Sequence, residues 1–155
     1  MSKDDASPGE LSQWMRKERD TLIELNKILR QHIAAKPDVN LDEWLRGMRV
    51  GFERLQKHLE RHFAAKEADG YLGMVIEQRP TLSGQVEQMR NEHDEILHMG
   101  EQILRDLSEL QPENRLLLAD SCARIQRFMA VVADHDQREI MITMYVFSQD
   151  IGETG

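Results

Sequence analysis

Only one cysteine, Cys122, occurs among the 155 residues. A lone thiol excludes an intramolecular disulfide framework and fits a reducing compartment. With Arg124 and Arg127 nearby and no histidine beside it in sequence, it reads as a packing thiol, not a nucleophile. Proline is scarce, at four residues, and aromatic residues make up 5% of the chain. No convincing run alternates with period two, so a sheet is not expected. No apolar run approaches the ~20 residues of a membrane span. The first residues, MSKDDASPGE, are acidic and lack an apolar segment, so no secretory signal is expected. The net charge is −8, and no Lys/Arg cluster stands free of neighbouring Asp and Glu, which argues against nucleic-acid or anionic-membrane partners. No Gly-rich loop follows a strand, so no nucleotide site is indicated. The expectation is a soluble cytoplasmic protein with no nucleophile or substrate motif of an enzyme.

What is present is helical. Hydrophobic residues are 40% and charged ones 31%, with nine methionines, a composition that suits long amphipathic helices. Breaks fall at Lys36-Pro37-Asp38, at Gly70 with Pro80, and at Gln111-Pro112. Ser7-Pro8 offers a cap and a first-turn proline. Asn40 or Asp38 can cap the second helix, and Ser83 or Thr81 the third. The spacing predicts helices over about 8–35, 40–69, 83–110 and 112–148 in a single domain, 1–155, with a short apolar turn in 71–79. Short connections imply antiparallel neighbours, so the fold class is all-α: an up-down-up-down four-helix bundle.

Each helix carries an apolar stripe at steps of three and four residues, and each stripe is interrupted by polar groups. The last reads Ile125, Phe128, Val132, His135, Glu139, Ile142, Val146. The third contains His93 between Met89 and Ile96. The second runs Trp44, Met48, Phe52, Leu55, Leu59, His62, Lys66, and the first places Arg19 and Asn26 among Met15, Leu22, Leu29 and Ile33. A buried, unpaired carboxylate costs several kcal/mol, so Glu139 must face a metal ion or a buried cation. His58 lies one turn before His62 on the flank and reads as surface, with a lesser role as an extra ligand. His32 and His98 read as solvent-facing, and the methionines, Met89, Met99, Met129, Met141 and Met144 among them, as core filler.

An internal repeat relates the two halves. Met15-Arg16-Lys17-Glu18-Arg19-Asp20 matches Met89-Arg90-Asn91-Glu92-His93-Asp94, and Phe128 to Glu139 superposes on Leu55 to Lys66. His93 on one helix and His135-x-x-x-Glu139 on the next resemble the haemerythrin-like (HHE cation-binding) family. That resemblance implies a haemerythrin-like bundle in which each hairpin gives one histidine and then a His-x-x-x-Glu pair, the two halves together holding a non-haem di-iron centre that takes a small diatomic ligand such as oxygen. The N-terminal half departs from the pattern: Arg19 stands in the histidine slot and Lys66 in the glutamate slot. Only His62, His93, His135 and Glu139 carry over.

Two readings follow. In the first, His62, His93, His135 and Glu139 hold one iron or zinc, Arg19 and Lys66 swing outward, and Glu67 rotates in as a substitute carboxylate. In the second no metal binds, Lys66 or Arg19 pairs with Glu139, and the bundle serves as an interaction or regulatory module.

Overall fold

The computed structural model describes residues 8–68 and 71–154. Among these residues there is no strand; the helices are α1 Pro8–Ala34, α2 Leu41–Ala68, α3 Tyr71–Gln78, α4 Ser83–Glu109 and α5 Arg115–Thr154, with a 3-10 turn at Pro80–Leu82. None is long and apolar enough to cross a membrane. The four long helices close a ring in which α1 packs on α2, α2 on α4, α4 on α5 and α5 back on α1. This is the all-α four-helix bundle that the stripes require.

The helix ends differ from the sequence expectation for identifiable reasons. The last helix starts at Arg115, because Asn114 accepts the Leu117 N–H on its side-chain oxygen at 3.2 Å and acts as the cap. Pro112 falls in the preceding turn, and the helix continues past Ser148 to Thr154. Neither Thr81 nor Ser83 caps α4; the 3-10 turn runs straight into it, and the N-cap residue Leu82 makes no side-chain cap bond. Asn40 leads into α2 at φ 60°, a left-handed conformation that asparagine tolerates, and its carbonyl accepts the Trp44 N–H at 3.3 Å. Ser7 and Gly70 lie outside the described residues.

Two apolar clusters fill the bundle. The larger includes Leu22, Leu29, Trp44, Met48, Phe52, Leu55, Leu59, Ile96, Ile103, Phe128 and Val132. The smaller gathers Met15, Val86 and Val146 around Tyr71, Leu72 and Val75 of α3. Met15 and Val86 lie near helix starts and Val146 late in α5, so α3 closes the bundle end where α1 and α4 begin. Met89 and Met129 are core residues, whereas Met99, Met141 and Met144 are exposed, so those three do not fill the interior.

Close helix approach has its own determinant. Gln56 donates its side-chain amide to the Leu97 carbonyl at 2.9 Å, and a Cβ added to Gly100 would collide with the Gln56 amide. Glycine at position 100 therefore lets α2 and α4 touch. Arg49 ties the same pair at its far end, donating to the carbonyls of Leu107 at 2.6 Å and Leu110 at 3.0 Å. Between the two apolar clusters lies a layer of buried histidine, lysine and glutamate.

Candidate metal centre

Glu139 is the hub of that layer. It is 1% exposed, as are His93 and His135, and Lys66 is fully buried. The Lys66 ammonium contacts Glu139 Oε1 directly. On the other oxygen, His93 Nε2 meets Oε2 at 3.0 Å, and His135 Nε2 lies 2.7 Å from it. The His135 contact is short but off the line of a hydrogen bond, which leaves that buried nitrogen without an aligned partner. Burial pushes the Glu139 pKa up, but Lys66 and the imidazoles of His135 and His93 outweigh it and hold the carboxyl well below its ordinary value.

The outward nitrogens of both rings face carboxylates. His93 Nδ1 is 3.2 Å from Glu67 Oε1, and His135 Nδ1 is 2.9 Å from Glu92 Oε1. Arg138 grips Glu92 with two bonds, Nη1 to Oε2 at 2.8 Å and Nη2 to Oε1 at 2.6 Å, and so pulls the Glu92 pKa down to about 2. Burial alone would lower the His135 pKa; Glu139, then Glu92, raise it instead. A carboxylate on the far ring nitrogen fixes the ring and its tautomer, and it is the usual setting of a metal-binding histidine.

His93, His135 and Glu139 bring one ligand atom each to within 4.8 Å of one another, in a group fit for a metal ion. His62 is not brought into that group. It sits with His58 and Glu18, its Nδ1 3.3 Å from Glu18 Oε2, under the ring of Trp14 stacked at 5.5 Å. Phe63 lies between, stacked on His93 at 4.1 Å. His58 is buried, contrary to its reading as surface, because α1 lies over that flank and places Glu18 there, Oε2 3.4 Å from His58 Nε2. His32 is half-buried rather than solvent-facing, since its ring stacks on Trp44 at 5.4 Å and accepts no place in either group. Glu67 turns to the back of His93 and does not substitute for the missing carboxylate. Of the two alternatives for Lys66, the outward swing does not occur and the pairing with Glu139 does, because Glu139 gives it a buried anion in reach. Arg19 does turn outward, with 51% of its side chain exposed and Nε 3.9 Å from Asp136.

Three residues were not singled out from sequence. Glu18 and Glu92, one position before Arg19 and His93, were visible in the repeat as a matched pair. Tyr71 had no such signal: it is 2% exposed on α3, within reach of the Thr143 hydroxyl, and burial raises its pKa. Thr143 in turn donates to the Glu139 carbonyl at 2.9 Å.

Two metal ions do not fit these residues. A second ion beside Glu139 would meet the Lys66 ammonium at a separation where unit charges repel by about 4 kcal/mol even at an effective dielectric of ~20. One ion does fit: the unaligned His135 nitrogen, the His93 nitrogen and Glu139 face one another, with both rings braced from behind. Histidines and a carboxylate converging from α4 and α5 inside an α-helical bundle form a group that could hold a metal ion. The family model for the hemerythrin HHE cation binding domain matches residues 10–144, and the chain belongs to that family. No curated protein and no solved structure matches it.

Proposed function

We propose that the protein binds one divalent metal ion, iron or zinc, on His93, His135 and Glu139, and serves as a carrier or sensor of a small ligand such as oxygen, not as an enzyme. What supports this most is the His135 imidazole, whose Nε2 is buried beside Glu139 without an aligned hydrogen bond while its Nδ1 is anchored by Glu92. Two histidines and one carboxylate suit non-haem iron with positions left open for a ligand. Lys66 then supplies, from the protein itself, the positive charge opposite Glu139.

Elemental analysis of untagged protein purified without chelators tests the reading. One metal held by His93, His135 and Glu139 and lost in His93→Ala is the expected result. Two irons that are lost together in His93→Ala would overturn the role given to Lys66. A folded protein whose metal content His93→Ala leaves unchanged would sink the site assignment.

A second reading is favoured by one contact, the fully buried Lys66–Glu139 pair. A protein cation there can stand in for metal altogether, and the bundle would then act through its surface. Absence of metal at the His93 site in a stable, helical protein is the outcome that selects it.

A further inference from the structure

His58 and His62 are one helical turn apart on α2, so their rings project from one face and stack at 5.7 Å. Glu18 reaches them from α1, with Oε2 3.4 Å from His58 Nε2 and 3.3 Å from His62 Nδ1. The three ligand atoms lie within 4.8 Å of one another. Only 8% of the His58 side chain and 4% of the His62 side chain are exposed, yet neither of these two nitrogens has an aligned hydrogen bond. Both ring nitrogens face the same carboxylate oxygen off the line of a hydrogen bond, and a cation among the three groups would engage both rings and the carboxylate at once.

The spacing suits a small transition-metal ion. Ligands about 2.0–2.1 Å from zinc at the corners of a tetrahedron stand ~3.4 Å apart, which matches both histidine–glutamate distances. We infer that Glu18, His58 and His62 form a second divalent metal site of zinc type, with its fourth position open to solvent beside Glu18. The Glu18 side chain is 26% exposed and provides the way in. This site shares no residue with His93, His135 and Glu139. Phe63 stands between the two, 5.9 Å from the His62 ring and 4.1 Å from that of His93. Of the charged groups acting on it, Glu18 and, at His62, Glu139 favour a cation, whereas Arg61 and Lys66 oppose one.

Trp14, stacked on His62 at 5.5 Å, is a built-in reporter. The full-length chain is stripped with chelator and titrated with Zn2+ by calorimetry and with Cu2+ by tryptophan fluorescence. Saturable quenching at one ion is expected, surviving in His93→Ala and lost in Trp14→Phe, the protein's other tryptophan being Trp44 beside His32. His58→Ala should weaken Zn2+ binding at this site at least tenfold. If that variant does not fold, Glu18→Gln reads the same site from α1. Quenching that persists unchanged in His58→Ala or Glu18→Gln, or no saturable binding outside the His93 site, overturns the inference. Because the His93 site is read in a separate variant, failure of either site leaves the other standing.

Discussion

The hairpin of α1 and α2 and that of α4 and α5 share one sequence pattern and carry different chemistry. In both, a glutamate on the first helix faces Nδ1 of the histidine on the second: Glu18 to His62 at 3.3 Å and Glu92 to His135 at 2.9 Å. One position later they part, for His93 turns into the core onto Glu139 while Arg19 turns outward to Asp136. The residue after each helix histidine covers that position in the opposite half: Phe63 stacks on His93, and Asp136 pairs with Arg19. At the glutamate position the N-terminal copy is Lys66, and it meets the C-terminal copy, Glu139, across the bundle. Equivalent positions of the repeat thus hold the two partners of an ion pair. Charge complementarity explains why both replacements are cations: each faces a carboxylate contributed by the other half.

The largest effect should come from breaking that cross-bundle pair. Glu139→Ala leaves the Lys66 ammonium buried and uncompensated, and a loss of about 3–5 kcal/mol in denaturant unfolding is expected. Lys66→Met should cost less, since His93 and His135 still face Glu139, and it should tighten metal binding at the His93 site at least tenfold by removing a repelling charge. Unchanged affinity in calorimetry would show that Lys66 does not bear on the site. Restoring the lost ligands with Arg19→His and Lys66→Glu together should raise iron content by one per chain; no gain would count against the alignment of the halves.

Acid should separate the halves next. Burial, opposed by Glu18, lowers the His62 pKa from 6.5 to about 4, whereas Glu139 raises that of His135. The unfolded chain takes up a proton at His62 near pH 6.5 and the folded one only near 4, so stability falls as pH drops through that window. For this group the loss by pH 4 is roughly 3 kcal/mol. In the metal-free protein, urea midpoints measured from pH 7 to 4 should decline less steeply in His62→Gln than in the parent. Parallel curves would mean that His62 is not the group responsible.

How much of this could be read from the chain depends on which physical signal carried it. The bundle was legible because the stripes at steps of three and four residues repeat over long helices, and Ile125, Phe128, Val132, His135 and Glu139 are all buried as the stripe requires. The pairing of Lys66 with Glu139 was one of two alternatives, because the sequence requires a counter-charge for Glu139 without saying whether metal or protein supplies it. The separation of His62 from His93 was not legible, since a stripe gives the face of a helix and not its height against its neighbours. His58 was hidden for the same reason: on its own helix it is a flank position, and only the lie of α1, which brings Trp14 and Glu18 over it, buries it. Asn114 as a cap lost out to the stronger signal of Pro112, three positions from the helix start.

The smallest effect sharpens the comparison at its point of divergence. Arg19 and His93 occupy equivalent repeat positions, yet one is half solvent-exposed, 3.9 Å from its partner, and the other is sealed inside. A long ion pair with one half-exposed partner contributes roughly 0–1 kcal/mol, so Arg19→Ala should shift the unfolding midpoint barely and leave metal content unchanged. His93→Ala removes a buried ring stacked on Phe63 and bonded to Glu139 and Glu67, and it should abolish metal at that site while destabilising the bundle measurably. The asymmetry has a physical origin. Asp136, unlike Phe63, gives the opposite residue a carboxylate to meet, so Arg19 has no reason to bury its charge. Burial raises the Asp136 pKa, with Lys66 and Arg19 among the charges that oppose the rise, and Arg19→Ala should raise it further in a side-chain NMR titration. A large loss of stability or metal in Arg19→Ala would mean that the guanidinium supports the centre from outside and that the halves are less divergent than their contacts make them.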